Sequence, residues 1–116
     1  MTQTTVMQPV EVVRNEDGHF WHPAVSEFWD VEMPGCEYCS REQWQAFEKR
    51  NGIETTYDRL EHYPIDHPVY VSYFDNEDTN ITAWQPTPPP GEGWFLITIG
   101  DSEDGPYATF ARPRAE

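Results

Sequence analysis

The run Trp94-Phe95-Leu96-Ile97-Thr98-Ile99, then Gly100 to Gly105, then Tyr107 to Ala111, constrains this chain more than any other part of it. Two short aromatic and β-branched runs around a glycine-containing connection predict a β-hairpin with a longer turn. Side chains alternate between the faces of a strand, so Phe95, Ile97 and Ile99 are expected on one face, in the core. A chain of 116 residues can bury roughly 65% of the surface it exposes unfolded, enough for one core. Trp, Tyr and Phe make up 15% of the residues and aliphatic side chains are few. The core is therefore expected to be rich in rings, each hiding about 150–250 Å² when buried.

The other elements are read around this hairpin. Ser40 to Asn51 predicts a helix: Ser40 and Gln43 form a reciprocal capping pair, Gly52 supplies a left-handed stop, and Ile53 follows as the terminating hydrophobic contact. Trp44 and Phe47 share one face of it and are expected in the core. Val6 to Arg14 alternates loosely and predicts a strand, with Pro9 arguing for an edge or a bulge. Asn15-Glu16-Asp17-Gly18 predicts a turn, and His19 to Pro23 a short extended segment. Glu54 to His67 stays open between helix, on the spacing of Tyr57, Leu60 and Tyr63, and strand, on Thr55 and Thr56. Val69 to Phe74 reads as a strand, and Ile81 to Trp84 as its returning partner across a turn at Asp75 to Asp78. Pro86 to Gly93, with four prolines, reads as an ordered surface crossing. No internal repeat is visible. The expected fold class is α+β: a single domain, residues 1–116, built on a mainly antiparallel sheet with one or two packed helices.

Charge narrows the function. Twenty-one acidic side chains face seven basic ones, a formal net charge of -14, where small domains commonly carry a magnitude of about 2–8. The six arginines and Lys49 are scattered, which disfavours direct binding of nucleic acid and favours a basic protein partner. The plain alternative is that acidity serves solubility alone, in a structural protein with no acidic-face function. Nothing approaches the length of a membrane span, and Met1 to Pro9 lacks the pattern of a signal peptide. A cytoplasmic location is expected. Oligomeric state is not legible.

The densest acids fall at two inferred turns: Asp75, Glu77 and Asp78 in one, Asp101, Glu103 and Asp104 in the other. If the two hairpins lie side by side with their tips together, these carboxylates form one field that steers a basic surface. Turns also collect Asp for backbone reasons alone. A single strand cannot imitate DNA, because same-face side chains repeat every ~7 Å against one charge per ~1.7 Å of duplex axis. Mimicry needs several elements, with Glu54, Asp58 and Glu61 added to the turns.

Other chemistry is thinner. His19-x-x-His22 and Cys36-x-x-Cys39 offer four zinc-competent ligands in two pairs, the alternative reading of the chain as a small zinc-binding module. The 13-residue gap and the order of the pairs match no common finger. Glu37 between the cysteines argues against a redox pair. His62 and His67 lie near Asp58, Glu61 and Asp66, but no serine or cysteine stands in a nucleophile elbow, and no glycine-rich phosphate loop is present. The chain is expected to be no enzyme and to need no cofactor.

Trp84-Gln85-Pro86-Thr87-Pro88-Pro89-Pro90-Gly91-Glu92-Gly93-Trp94-Phe95-Leu96, continuing to Asp101-Ser102-Glu103-Asp104-Gly105-Pro106, resembles a pattern in uncharacterised small acidic proteins of tailed bacteriophages and prophages. Gly18-His19-Phe20-Trp21-His22-Pro23 is similar to their N-terminal part. The resemblance covers about a third of the chain. It implies a phage-encoded accessory protein in a bacterial cytoplasm, acting as an inhibitor that occupies a basic host or phage protein.

Overall fold

A computed structural model describes residues 6–35, 39–102 and 104–114. The fold is α+β. Four antiparallel strands, β1 (Phe20–Trp21), β2 (Ile53–Arg59), β3 (Phe95–Ser102) and β4 (Gly105–Pro113), form one sheet in the order β1-β3-β4-β2. The expected C-terminal hairpin is its centre, with β1 and β2 on its two edges. Its connection is shorter than the sequence suggested. The ladder runs to the pair Ser102↔Gly105, and the Ser102 hydroxyl donates to the Gly105 carbonyl at 3.0 Å.

Residue 97 breaks the expected alternation. Leu96 pairs with Phe110 and Thr98 with Thr109, so Ile97 is the extra residue of a β-bulge. Phe95 and Ile97 pack with Phe47, Ile53 and Ala111 on one face of the sheet. Ile99 packs with Phe20, Ala108 and Phe110 on the other. Phe95, Ile97 and Ile99 therefore do not share a face. The bulge turns Thr98 to the side that strict alternation would have given Ile99.

Both faces are covered. On the first lie α1 (Pro23–Glu27), continued by one π-helical turn, Phe28–Glu32, and α2 (Arg41–Asn51). The capping box of α2 forms as read, with Ser40 and Gln43 bonding each other's backbone amides, and Gly52 closes the helix at φ 64. Trp44 and Phe47 stack with ring centroids 4.8 Å apart, and Phe47 and Ile53 are buried. The open segment after Gly52 resolves into β2 and a 3₁₀ turn, Leu60–His62.

On the second face lies α3 (Pro68–Tyr70), continued by a π turn, Val71–Asp75. This corrects the expected strand at Val69 to Phe74. His67 accepts the Val69 amide at 3.2 Å through Nδ1 and Pro68 occupies the first helical position, a strong start signal beside a run of β-formers. A helix also brings Tyr70 and Phe74 together, centroids 4.6 Å apart, with Val69, Tyr70, Tyr73 and Phe74 packed into one cluster. A strand would divide those rings between two faces.

The expected strand Ile81 to Trp84 is a tight turn closed by the Trp84 amide on the Ile81 carbonyl at 2.9 Å. A turn buries Ile81 and Trp84 on the same side, and both are fully covered. The first inferred hairpin therefore does not exist. Val6 to Arg14 is likewise no strand: it runs as irregular backbone, held by the Met7 amide on the Asn51 carbonyl at 2.9 Å. The turn at Asn15 to Gly18 forms as expected, with Asn15 Oδ1 accepting the amides of Asp17 and His19.

The structure also shows a repeat that the sequence reading missed. His22-Pro23 and His67-Pro68 begin the two helices in the same way. His22 Nδ1 accepts the Ala24 amide at 3.0 Å as His67 Nδ1 accepts that of Val69. Aligned without a gap, the two copies also share Asp30 with Asp75, Glu32 with Glu77, and an aromatic pair, Phe28-Trp29 with Tyr73-Phe74. Each copy ends in a π turn, closed by Met33 on Phe28 and by Asn76 on Val71 at 3.1 and 3.0 Å. One motif thus covers each face of the sheet.

Candidate functional sites

The acidic residues come from a helix end and a hairpin. Tyr73, in the second π turn, donates its hydroxyl to Asp101 on β3, 2.8 Å from each carboxylate oxygen. The neighbouring Phe74 ring closes on the hairpin turn so tightly that a Cβ at Gly105 would meet it at 2.6 Å. These two contacts bring the end of the π turn, with Asp75, against the hairpin end that carries Asp101 and Asp104. Glu77 and Asp78 follow directly, and all five are exposed. Glu103 lies outside the described residues. Glu77 has φ 57, a left-handed conformation uncommon for any residue but glycine or asparagine. Asp78 accepts the Asn80 amide, and Asn80 in turn donates to the Glu16 carbonyl.

Tyrosines record the electrostatics of this region. Burial pushes the Tyr73 hydroxyl up to about 12, reinforced by its hydrogen bond to Asp101 and by that carboxylate's charge. Tyr57, Tyr63 and Tyr107 are raised as well, each chiefly by burial. Unfolded tyrosines titrate near pH 10, so at higher pH the folded state keeps protons that the unfolded state has lost. The stabilisation is whole below about pH 10 and declines as pH rises towards 12. Phenolate absorbance is expected to show these four groups titrating above the free-tyrosine range, with melting temperature falling over the same interval. Titration of all the tyrosines as a single group near 10 would contradict the contacts.

Of the four candidate zinc ligands, His19, His22 and Cys39 are described, and these three are not assembled to hold a metal ion. His22 is 6% exposed and both its ring nitrogens are engaged, Nδ1 by Ala24 and Nε2, as donor, by the Gln8 carbonyl at 2.7 Å. It serves as a helix cap with no lone pair left for a metal. Cys36 lies outside the described residues. Cys39 packs at the edge of the first core cluster, where burial raises its thiol. Among the described residues no three His, Cys, Asp or Glu side chains are placed to hold a metal ion. His62 is exposed beside Glu61, and His67 caps α3 through Nδ1.

A cleft of about 640 Å³ opens on the first face, between α2 and the part of the sheet that α2 leaves uncovered. Strand alternation puts Thr55, Tyr57 and Arg59 of β2 on this face. Tyr107 and Thr109 of β4 join them, and the bulge adds Thr98 of β3. Sequence reasoning missed this site because its parts lie on three strands. The mixed aromatic and hydroxyl character of Thr55-x-Tyr57-x-Arg59 and Tyr107-x-Thr109 was its one legible trace. Among the described residues no helix is long and apolar enough to cross a membrane.

The chain matches no protein-family model, no curated protein and no solved structure with which it was compared.

Proposed function

We propose that the protein is a non-enzymatic binding domain whose acidic end docks on a basic protein surface. The observation that carries this reading is the packing of the second π turn on the hairpin, through Tyr73 on Asp101 and Phe74 on Gly105, which gathers acids from two distant segments. The repeat adds a contrast. In the first copy Glu32 is paired with Arg50. The equivalent Glu77, with Asp75 and Asp78, has no ion-pair partner among the described residues. Charge held without a structural partner raises the local potential and steers a basic surface towards it. The phage resemblance fits an accessory protein of the bacterial cytoplasm that occupies a host or phage protein, in competition with nucleic acid where that protein binds it.

The test is capture from bacterial lysate at low and high salt, comparing the native chain with the triple variant Asp75→Asn, Glu77→Gln, Asp78→Asn. Exposed charges contribute about 0.2–1 kcal/mol each, so the triple variant is expected to bind its partner about ten-fold more weakly or worse. Affinity should also fall steeply with ionic strength. Retention of the same partners by both chains at both salt levels would rule the reading out. Neutralising Glu11 and Glu27, which belong to neither of the two acidic segments, is expected to change little.

A further inference from the structure

We propose that the cleft between α2 and the sheet binds a small molecule carrying a planar ring and one anionic group. The ring would lie between the aromatic walls and the anion against Arg41 and Arg59.

The floor of the cleft carries two hydroxyls. Thr98 and Thr109 face each other across β3 and β4, are 3% and 2% exposed, and line the cleft. Neither hydroxyl is hydrogen-bonded to another described residue, and neither is among the buried polar atoms left without a partner, so both stay open to the cleft. Thr98 reaches this floor only through the bulge at Ile97, and bulges are over-represented where a side chain is re-aimed next to a site. A ligand with an acceptor at this depth would satisfy both hydroxyls.

The walls are aromatic. Tyr57 and Tyr107 meet edge to face, centroids 6.5 Å apart, on one side, and Trp29 and Trp44 stand on the other. They are held before any ligand arrives. The Trp44 indole donates to Thr55 Oγ1 at 3.0 Å, and Thr55 bonds Glu48 through its hydroxyl and its amide at 2.8 and 3.0 Å. The Tyr107 ring lies on Gly100, whose missing side chain leaves room for it. The volume is that of a site for a small ligand, within about 300–1,000 Å³.

The rim carries two arginines. In this acidic chain Arg50 and Arg112 are paired, with Glu32 and Glu54. Arg41 and Arg59 line the cleft and have no carboxylate within ion-pair distance among the described residues. Arg59 lies over the Tyr57 ring, 5.4 Å from its centroid. Glu48, the acid on the same lining, is engaged by Thr55. Among the described lining residues two arginines thus face one carboxylate while the molecule is strongly negative, and the first turn of α2 at the edge of the cleft adds to the positive side. A neutral ring would leave the arginines unused, and a bare anion would leave the walls unused.

The experiment titrates the intact protein with salicylate and with phenyl phosphate, following tryptophan fluorescence and backbone amide resonances. Phenol, acetate and inorganic phosphate serve as the separate parts. At least one ring-bearing anion is expected to saturate the protein and to shift Thr98, Thr109 and Tyr107, about ten-fold more tightly than any single part. Preference between the two decides carboxylate against phosphate. Thr109→Val and Arg59→Gln are each expected to weaken binding by about ten-fold. Thr109→Val should also melt close to the native protein, since the hydroxyl it removes bonds no other described residue and is open to the cleft. The proposal is overturned if neither compound saturates at millimolar concentration or if phenol binds as tightly. Shifts lying elsewhere, or unchanged affinity in both variants, would overturn it equally.

Discussion

Arg14→Met is expected to lower the stability of the protein by about 3 kcal/mol, as read by chemical denaturation. Arg14 Nε donates to the Gly18 carbonyl at 2.8 Å and Nη1 to the Trp84 carbonyl at 2.6 Å, while Nη2 donates to the Ile81 carbonyl. Hydrogen bonds to a charged group contribute about 1.5–3 kcal/mol each, and three from one guanidinium are not additive. Burial lowers the pKa of Arg14, the mark of a cation drawn out of water without a carboxylate. Methionine keeps most of the apolar stem, leaves the Gly18 and Trp84 carbonyls without a donor, and leaves the Ile81 carbonyl with the Trp84 amide alone. Lysine keeps the charge but cannot reach three acceptors with one planar fork, so Arg14→Lys is expected to recover less than half of the loss. A loss below about 1 kcal/mol in the methionine variant would mean that water replaces the guanidinium at little cost.

Gly18→Ala is expected to cost at least about 3 kcal/mol, from two independent causes. Residue 18 has φ 93, and an alanine Cβ there would lie 2.6 Å from the Thr82 amide nitrogen and 2.7 Å from the Ile81 carbonyl carbon. Both contacts are backbone, which cannot swing aside as a side-chain tip can. Gly35 separates the causes: its φ is 75, but a Cβ there would meet nothing within 4 Å. Gly35→Ala should therefore cost only the left-handed backbone penalty, about 1–2 kcal/mol. Equal losses at the two positions would refute the close approach. Because Gly18 and Arg14 clamp the same Ile81 to Trp84 turn, the double variant should lose less than the sum of the two.

Arg14 and Gly18 anchor the part of the fold least legible in the sequence. The C-terminal hairpin and α2 were legible because their signals are local: alternation around a glycine turn, and a capping box with a glycine stop. Val69 to Phe74 was misread because its β-branched and aromatic side chains suit a strand, while its helical start rests on two residues, His67 and Pro68, outside the run. Ile81 to Trp84 was misread because two buried side chains three apart fit a tight turn as well as a strand. What fixes the turn is Arg14, remote in sequence. The acidic surface was legible as composition, but its assembly depends on Tyr73 meeting Asp101 from a helix that was read as a strand. The cleft depends on a one-residue bulge, which shifts every later side chain of β3 to the opposite face and leaves no mark in the alternation itself.

The strand order also bears on how the chain reaches this state. Phe20 waits for Ile99, and Ile53 for Pro113. Both edges of the sheet need a hairpin that a ribosome makes after either of them. Such pairings close long loops and fold slowly, and until β3 and β4 emerge the nascent chain holds two apolar helical segments with no sheet beneath them. Strong like charge keeps such intermediates apart. The acidity of the mature surface thereby also protects the unfinished chain from association during synthesis.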